Sequence, residues 1–286
     1  MALLQPRRGF ALLTAATVMA VGTLLSGGYA STAAAAATDP SLCVASDVQA
    51  GVSGAQGPFA TYLKSLPCTR IVMPGDLTND GTASQFATFN AWYGPVKAKI
   101  LPARGNHDAR SPLSNYTAYW GSRVTANGQP WYSVNLGSWH IVSLELTGSA
   151  PSPAELSWLT KDLDANRGKP TLAFWHIPRY STGFYGDNAA SEPLWKILAA
   201  HGADIVLNGH VHVAQRFVIT RGIREWIDSS AGFNLHSESH TSALTRAWIV
   251  PGPQFGVLRL ILHPHGYEWS FTNTSGRRLD GGTASV

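Results

Sequence analysis

A chain of 286 residues, 44% of them hydrophobic, can bury a large core but leaves no room for a second full-size domain beside an N-terminal address segment. Its ten Trp, ten Phe and nine Tyr exclude a disordered chain, because rings of this size supply the apolar area that offsets chain entropy. The formal charge of +4 is too small for a nucleic-acid footprint, and it falls by two once Arg7 and Arg8 are set aside.

Arg7 and Arg8 precede an uncharged apolar stretch over residues 10–25 and a small-residue tract over residues 31–37. That order is the pattern of a secretory signal peptide, with Arg7-Arg8 also fitting a twin-arginine type. Residues 1–37 are therefore expected to be removed, leaving residues 38–286 as one exported domain, extracellular or periplasmic. The apolar run is short for a bilayer span, so no stable membrane anchor is expected. In an oxidising compartment the two cysteines, Cys43 and Cys68, read first as one disulfide.

Beyond residue 38, short apolar runs alternate with helical patterns, the signal for strands joined by crossover helices. Strands are expected over residues 42–46, 70–73, 99–103, 171–175 and 203–207. Phe86, Phe89 and Tyr93 mark one helix; Ser152-Pro153-Ala154-Glu155 is a capping box opening a second; a third starts near Ser191 and stops at Gly202. Residues 131–136 and 139–146 form a hairpin around Gly137-Ser138, and residues 255–262 pair with 267–271 across Gly266. Two sheets with outer helices accommodate this count.

Each predicted parallel strand stops at a polar motif, where an open α/β sheet places its ligand crevice. In order these are Asp47, then residues 75–81 with Asp76 and Asn79, then Gly105-Asn106-His107-Asp108, then His176, then Gly209-His210-Val211-His212. Singly, each has an ordinary structural reading: Asp47 as a helix cap, Asp76 and Gly81 as turn residues, His176 as a core histidine. Together they are a donor set. Carboxylate and amide oxygens mixed with imidazoles suit manganese, zinc or iron, and the inventory supports two metal ions.

This series resembles the motifs of the calcineurin-like metallophosphoesterases over residues 42–215. Phe174-Trp175-His176-Ile177-Pro178 is most similar to the purple-acid-phosphatase branch. The resemblance implies an α/β fold, a four-layer αββα sandwich of two mixed sheets flanked by helices. It implies two divalent or trivalent metal ions bridged by Asp76, with Asp47 and His212 on the first and Asn106, His176 and His210 on the second. A bridging hydroxide would attack phosphorus, the cations lying about 4 Å apart and neutralising the phosphate oxygens. His107 would protonate the leaving oxygen, with Asn79 and Asp108 as further candidate catalytic residues. Asn106, His107, Arg179 and Tyr180 are the candidate substrate contacts, Arg179 because its planar fork fits phosphate oxygens.

The first motif of the family commonly reads Asp-x-His, whereas this chain has Asp47-Val48-Gln49. The branch with purple colour carries a tyrosine three residues after the bridging aspartate, and here that position is Asn79. The first site is therefore expected to draw on Gln49, Asn79 or water and to bind more weakly than the second. His236 and His240 fall in a stretch read as a rim loop and are not assigned as ligands. The resulting expectation is a secreted, monomeric, metal-dependent hydrolase of small-molecule phosphate monoesters. A phosphodiesterase of the same fold, or a silent secreted binding protein on this scaffold, is the alternative.

Overall fold

The computed structural model describes residues 39–286. The expected signal peptide, residues 1–37, lies outside the described residues. The first part of the chain runs β1 (Ser41–Val44), α1 (Gln56–Ser65), β2 (Arg70–Met73), α2 (Ala83–Tyr93), β3 (Ile100–Pro102) and α3 (Leu113–Trp120). It continues through β4 (Tyr132–Leu136), β5 (Trp139–Ser143), α4 (Pro153–Ala165), β6 (Thr171–Phe174), α5 (Glu192–Ala200) and β7 (Ile205–Asn208). Six further strands complete it: β8 (Ala214–Phe217), β9 (Arg224–Asp228), β10 (Arg246–Ile249), β11 (Gly256–His263), β12 (Gly266–Asn273) and β13 (Arg278–Ser285).

These strands form two mixed sheets, ordered β13-β12-β11-β1-β2-β3 and β10-β8-β9-β7-β6-β5-β4. Within the first, β1, β2 and β3 are parallel, connected through α1 and α2. Within the second, β5, β6, β7 and β9 are parallel, with α4 and α5 as crossovers. The parallel strands β1, β6 and β7 are buried at every position, which is why they read as short continuous apolar runs. The α/β sandwich of two mixed sheets flanked by helices is therefore the architecture of this chain. No helix among the described residues is long and apolar enough to cross a membrane.

Aromatic residues join the sheets. Trp139 of β5 donates its Nε1 to the His263 carbonyl at 2.8 Å and meets Tyr267 of β12 edge-on. Trp226 of β9 packs against Tyr267 and Trp269. Arg216 of β8 and Asp280 of β13 form a two-pronged ion pair at 2.8 and 2.9 Å, and Asp280 also accepts from Trp269 Nε1. Cys43 in β1 is disulfide-bonded to Cys68, with Cα atoms 5.7 Å apart.

The helix starts follow from their caps. Thr82 accepts from the Gln85 amide at the start of α2, and Ser152 accepts from Glu155 at the start of α4, where Pro153 is pre-set for the first turn. The expected capping box is half made. Instead of returning to Ser152, the Glu155 carboxylate accepts from the Glu145 amide at 2.7 Å, tying α4 to the segment after β5.

Candidate metal centre

The loops that follow β1, β2, β3, β6 and β7 bring the predicted donors together. Asp47, Asp76 and His176 each offer a ligand atom within 4.8 Å of the others, all three buried. His210 Nδ1 lies 3.3 Å from His176 Nε2, and His212 Nε2 lies 3.6 Å from Asp47 Oδ1 and 3.3 Å from Gln49 Nε2. The His107 ring reaches the same cluster, its Nε2 3.9 Å from Asp76 Oδ2.

The backbone is bent to achieve this. Asp47, Gln49, Asp76, His210 and His212 all adopt positive φ, at 63°, 46°, 51°, 78° and 53°. Side chains with a Cβ avoid this region, so its concentration at one place marks a site whose surroundings hold the strain. In residues 210–212 the repeated turn-like conformation lets two imidazoles two positions apart serve one cup. Cross-loop bonds hold the bends: Asp47 donates to the Gly75 carbonyl at 3.2 Å, Gln49 to that of Asp76 at 2.8 Å, and His210 to the Asp47 carboxylate at 3.0 Å.

Two glycines are required by proximity. A Cβ on Gly105 would run into the Asp76 amide and carboxylate, and one on Gly209 would strike Ser46 Oγ and lie 2.8 Å from Asp47 Oδ2. The first motif glycine of each pair thus lets one loop's backbone lie against another loop's donor.

The histidines are oriented as ligands. His176 Nδ1 lies 2.8 Å from the Pro74 carbonyl, which can only accept, so Nδ1 carries hydrogen and Nε2 faces Asp76 Oδ2 at 3.2 Å. His212 repeats the arrangement: Nδ1 donates to the Asn234 carbonyl at 2.6 Å and Nε2 faces Asp47. A backbone partner on one ring nitrogen fixes the tautomer and aims the other nitrogen's lone pair. Two acceptors 3.2 Å apart repel unless a positive charge lies between them, so this geometry suits a cation.

Without a metal ion a proton on His176 Nε2 fills that place. Burial pulls the His176 imidazole down, but the Asp76 carboxylate, with Asp47 behind it, outweighs that and raises it to about 9. For Asp76, burial is opposed and overcome by His176 and His107, and the carboxyl sits below its usual range. His210 is pushed down to about 3 by burial and then by the positive His176. Asn106 supplies a separate sign of fit: its Oδ1 is buried with no hydrogen-bond partner, though Gly105 and His107 on either side both touch Asp76. A buried amide oxygen without a donor suits a hard cation.

Four predicted site residues have other employment. Asp108, expected to be catalytic, is buried and accepts from the amides of Leu77, Thr78 and Gly105 and from Thr78 Oγ1. It pins the second and third loops together, and burial followed by repulsion from Asp76 lifts its carboxyl to about 6. Asn79 touches His107 through its carbonyl, which accepts from Nδ1 at 2.9 Å, while its side-chain amide donates to Asp80. Arg179 is held by Glu192 at 2.7 Å, and Tyr180 is buried edge-on against Trp195.

The sequence reading missed Arg110, whose Nη2 lies 3.4 Å from His107 Nε2 and whose Nη1 binds the Asn79 carbonyl and Asp80 Oδ1 at 3.1 Å. Its position three residues after His107, on a single helical turn, was the available signal. Also missed were Phe184 and Tyr185, the latter stacked on His210 with ring centroids 4.4 Å apart. His236, unassigned from sequence, has its ring centroid 5.0 Å from that of His212.

With this geometry, residues 41–214 match the calcineurin-like phosphoesterase family, and the chain belongs to it. Purple acid phosphatase 15 of Arabidopsis thaliana is 31% identical over 135 residues, covering 42% of this chain and 25% of that protein. Purple acid phosphatase 18 of the same plant is 25% identical over 219 residues, covering 68% and 49%. A Synechococcus protein described as a probable cyclic nucleotide phosphodiesterase is 26% identical over 172 residues, covering 56% and 64%. The chain thus spans between a quarter and a half of the length of the two plant relatives. Among solved structures, a purple acid phosphatase from yellow lupin seeds shares the fold with a TM-score of 0.74 at 15% identity, covering 87% of this chain and 54% of that one. A dimetal phosphatase from Danio rerio gives 0.61 at 13% identity, covering 87% and 99%.

Proposed function

We propose that this chain is a metal-dependent phosphoesterase acting on small phosphate monoesters. The observation that carries the reading is the pairing of two locked imidazoles with two buried carboxylates: His176 Nε2 toward Asp76, and His212 Nε2 toward Asp47. The donor set fits two divalent or trivalent cations, of manganese, zinc or iron type. Asp47, His212 and Gln49 would hold one, Asn106, His176 and His210 the other, and Asp76 would serve both. Such cations, when bound, acidify a water and neutralise phosphate oxygens.

The protein's own groups do the rest. Its donors sit on cross-bonded loops, so the cup is organised before substrate arrives. His107 has Nδ1 fixed on the Asn79 carbonyl, so in its imidazolium form Nε2 would be the nitrogen that hands a proton to the leaving oxygen. Arg110, half-exposed beside it and paired with Asp80 through Nη1, would offer its Nη2 hydrogens to the extra anionic oxygen of a monoester. That guanidinium favours a monoester. The relatives described as cyclic nucleotide phosphodiesterases favour a diester as the second reading.

Export through residues 1–37 is part of the proposal and is supported by the Cys43–Cys68 disulfide, a bond that persists in oxidising compartments. The experiment is turnover of p-nitrophenyl phosphate against its bis ester, with manganese, zinc or iron added, for wild type, Asn106→Ala and His210→Ala. Metal-dependent cleavage of the monoester, lost in both variants, is the expected result. No turnover with any metal would leave a binding protein on this scaffold; undiminished turnover in the variants would remove the mechanism.

A further inference from the structure

The aromatic rings on the rim of the cluster are the feature the site chemistry leaves unused. Among the described residues, the large hydrophobics that remain exposed include only two aromatic side chains, Phe184 at 54% and Tyr185 at 56%. They are neighbours, they meet edge to face at 5.1 Å and 87°, and each meets a histidine ring. Tyr185 lies flat on His210 at 4.4 Å and 23°, while Phe184 meets His236 at 5.7 Å, whose ring in turn meets His212 at 5.0 Å. A wall of rings therefore runs from one histidine of the Gly-His-x-His motif to the other.

The wall stands on a fixed base. The Thr182 amide and hydroxyl both donate to the buried Gln215 side chain, and the Gly183 amide donates to Ser181 Oγ. The Gly186 amide closes a turn on the Gly183 carbonyl, and His240 donates to the carbonyls of Thr182 and Gly183. A Cβ on Gly183 would come 2.8 Å from Val211 Cβ, so the turn is pressed against the residue between the two histidines. Asp187, just beyond, accepts from Ser181, Ser242 and Ala243. Two large apolar rings held out into water by a turn bonded on both sides are a surface shaped to be covered.

Resting on the phosphoesterase reading above, we propose that Phe184 and Tyr185 form a stacking platform for a planar aromatic organic group of the ester, making aromatic phosphates its substrate class. A ring face beside a ring edge rewards a flat π-system over an aliphatic alcohol of equal size. Asn234 and His236, whose side chains meet at 3.2 Å on the same rim, offer polar groups to the heteroatoms of a nucleobase. The platform is continuous with the donor cluster through His210, so a molecule stacked there keeps its phosphate end within reach of the carboxylates.

The test measures binding and turnover separately on the purified full chain. Calorimetry compares adenosine, phenol and ribose, none of which carries a phosphate to hydrolyse; kinetics compares adenosine 5′-monophosphate with ribose 5-phosphate. Adenosine should bind at least about fivefold more tightly than ribose, the lower end of what one base–aromatic stack contributes. In the double variant Phe184→Ala/Tyr185→Ala that ratio should fall to near one, and Tyr185→Phe should restore it. Phenol matching adenosine would assign a general aryl platform, and adenosine exceeding phenol a nucleobase platform. Equal binding of adenosine and ribose to the wild type, or an unchanged ratio in the double variant, would overturn the proposal. Tight adenosine binding with neither phosphate hydrolysed would instead sink the phosphoesterase reading and leave the platform standing.

Discussion

His176 Nε2 stands 3.2 Å from Asp76 Oδ2, while the other nitrogen of the same ring is held by the Pro74 carbonyl at 2.8 Å. Asp76 comes from the loop after β2 in one sheet and His176 from the loop after β6 in the other. Their meeting therefore couples the two layers of the sandwich at the place where chemistry is expected. Removing the carboxylate would leave His176 without the charge that holds it protonated, and removing the imidazole would leave a buried carboxylate facing another at Asp47.

Asp108 separates holding a loop from performing a reaction. Because its carboxylate accepts from four groups on two loops, Asp108→Asn should destabilise the protein by about 2 kcal/mol, the scale of a lost charge-assisted hydrogen bond. Denaturant midpoints would show the loss. The pH profile of turnover in the folded variant should keep its shape, whereas a displaced acid limb would return Asp108 to the chemistry.

The two halves of the donor set are unequal. Gln49 meets His212 through an amide where the family's common motif would place an imidazole, whereas the other half has His176, His210 and the unpartnered oxygen of Asn106. Metal titration by calorimetry should give two affinities, the weaker tightening by about tenfold or more in Gln49→His, as added imidazole ligation implies. A single class of sites in the wild type would contradict this.

Stability should fall as pH rises from 6.5 to 8.5 in metal-stripped protein. Burial lifts the Glu155 carboxyl to about 8 and that of Asp228 to about 7, against 4.5 and 3.8 ordinarily. In the unfolded chain both are ionised well below pH 6.5; in the folded chain they hold their protons until pH 7 to 8. Unfolding in that window releases protons, so raising the pH favours the unfolded state. His210, held at about 3, contributes in the opposite sense, and that contribution levels off just above pH 6.5, where an unfolded histidine loses its proton. Glu155 alone implies about 2 kcal/mol at 1.36 kcal/mol per pH unit, visible as a thermal midpoint several degrees lower. His176, raised to about 9, adds a loss of the same sign, so Glu155→Gln should reduce the slope without abolishing it.

The disulfide closes a separation of 25 residues between β1 and the start of β2. Cys43→Ser/Cys68→Ser should lower unfolding free energy by about 3 kcal/mol through greater freedom of the unfolded chain. Denaturation with and without reductant measures it, and indifference of the wild type to reductant would refute the contribution.

The parallel strands β1, β2, β3, β6 and β7 and their terminal motifs were legible because each is a largely buried apolar run that stops at a donor, a pattern complete within a few residues. Strands β8 and β9 were not, since their segments Ala-Gln-Arg-Phe and Arg-Glu-Trp-Ile-Asp carry polar side chains whose partners are distant: Arg216 pairs with Asp280, and Glu225 accepts from the Arg179 amide. β13 hid behind Gly281 and Gly282, yet a Cβ on Gly282 would come 2.5 Å from the Trp269 ring, so the small residue is what lets the strand lie there. Helix α1 was obscured by Gly57 and Pro58 in its first turn. The contacts of Arg179 and Tyr180 were not legible, because Glu192 and Trp195, which they meet, follow on a helix whose docking no local pattern reveals.

The most direct measurement is the metal content of protein purified without chelator, taken by elemental mass spectrometry beside Asp76→Asn and His176→Ala. Close to two transition-metal ions per chain are expected in the wild type, with a loss of at least one in each variant that remains folded by circular dichroism. Folded wild type that takes up no manganese, zinc or iron even when they are supplied, or variants that retain the full complement, would contradict that expectation.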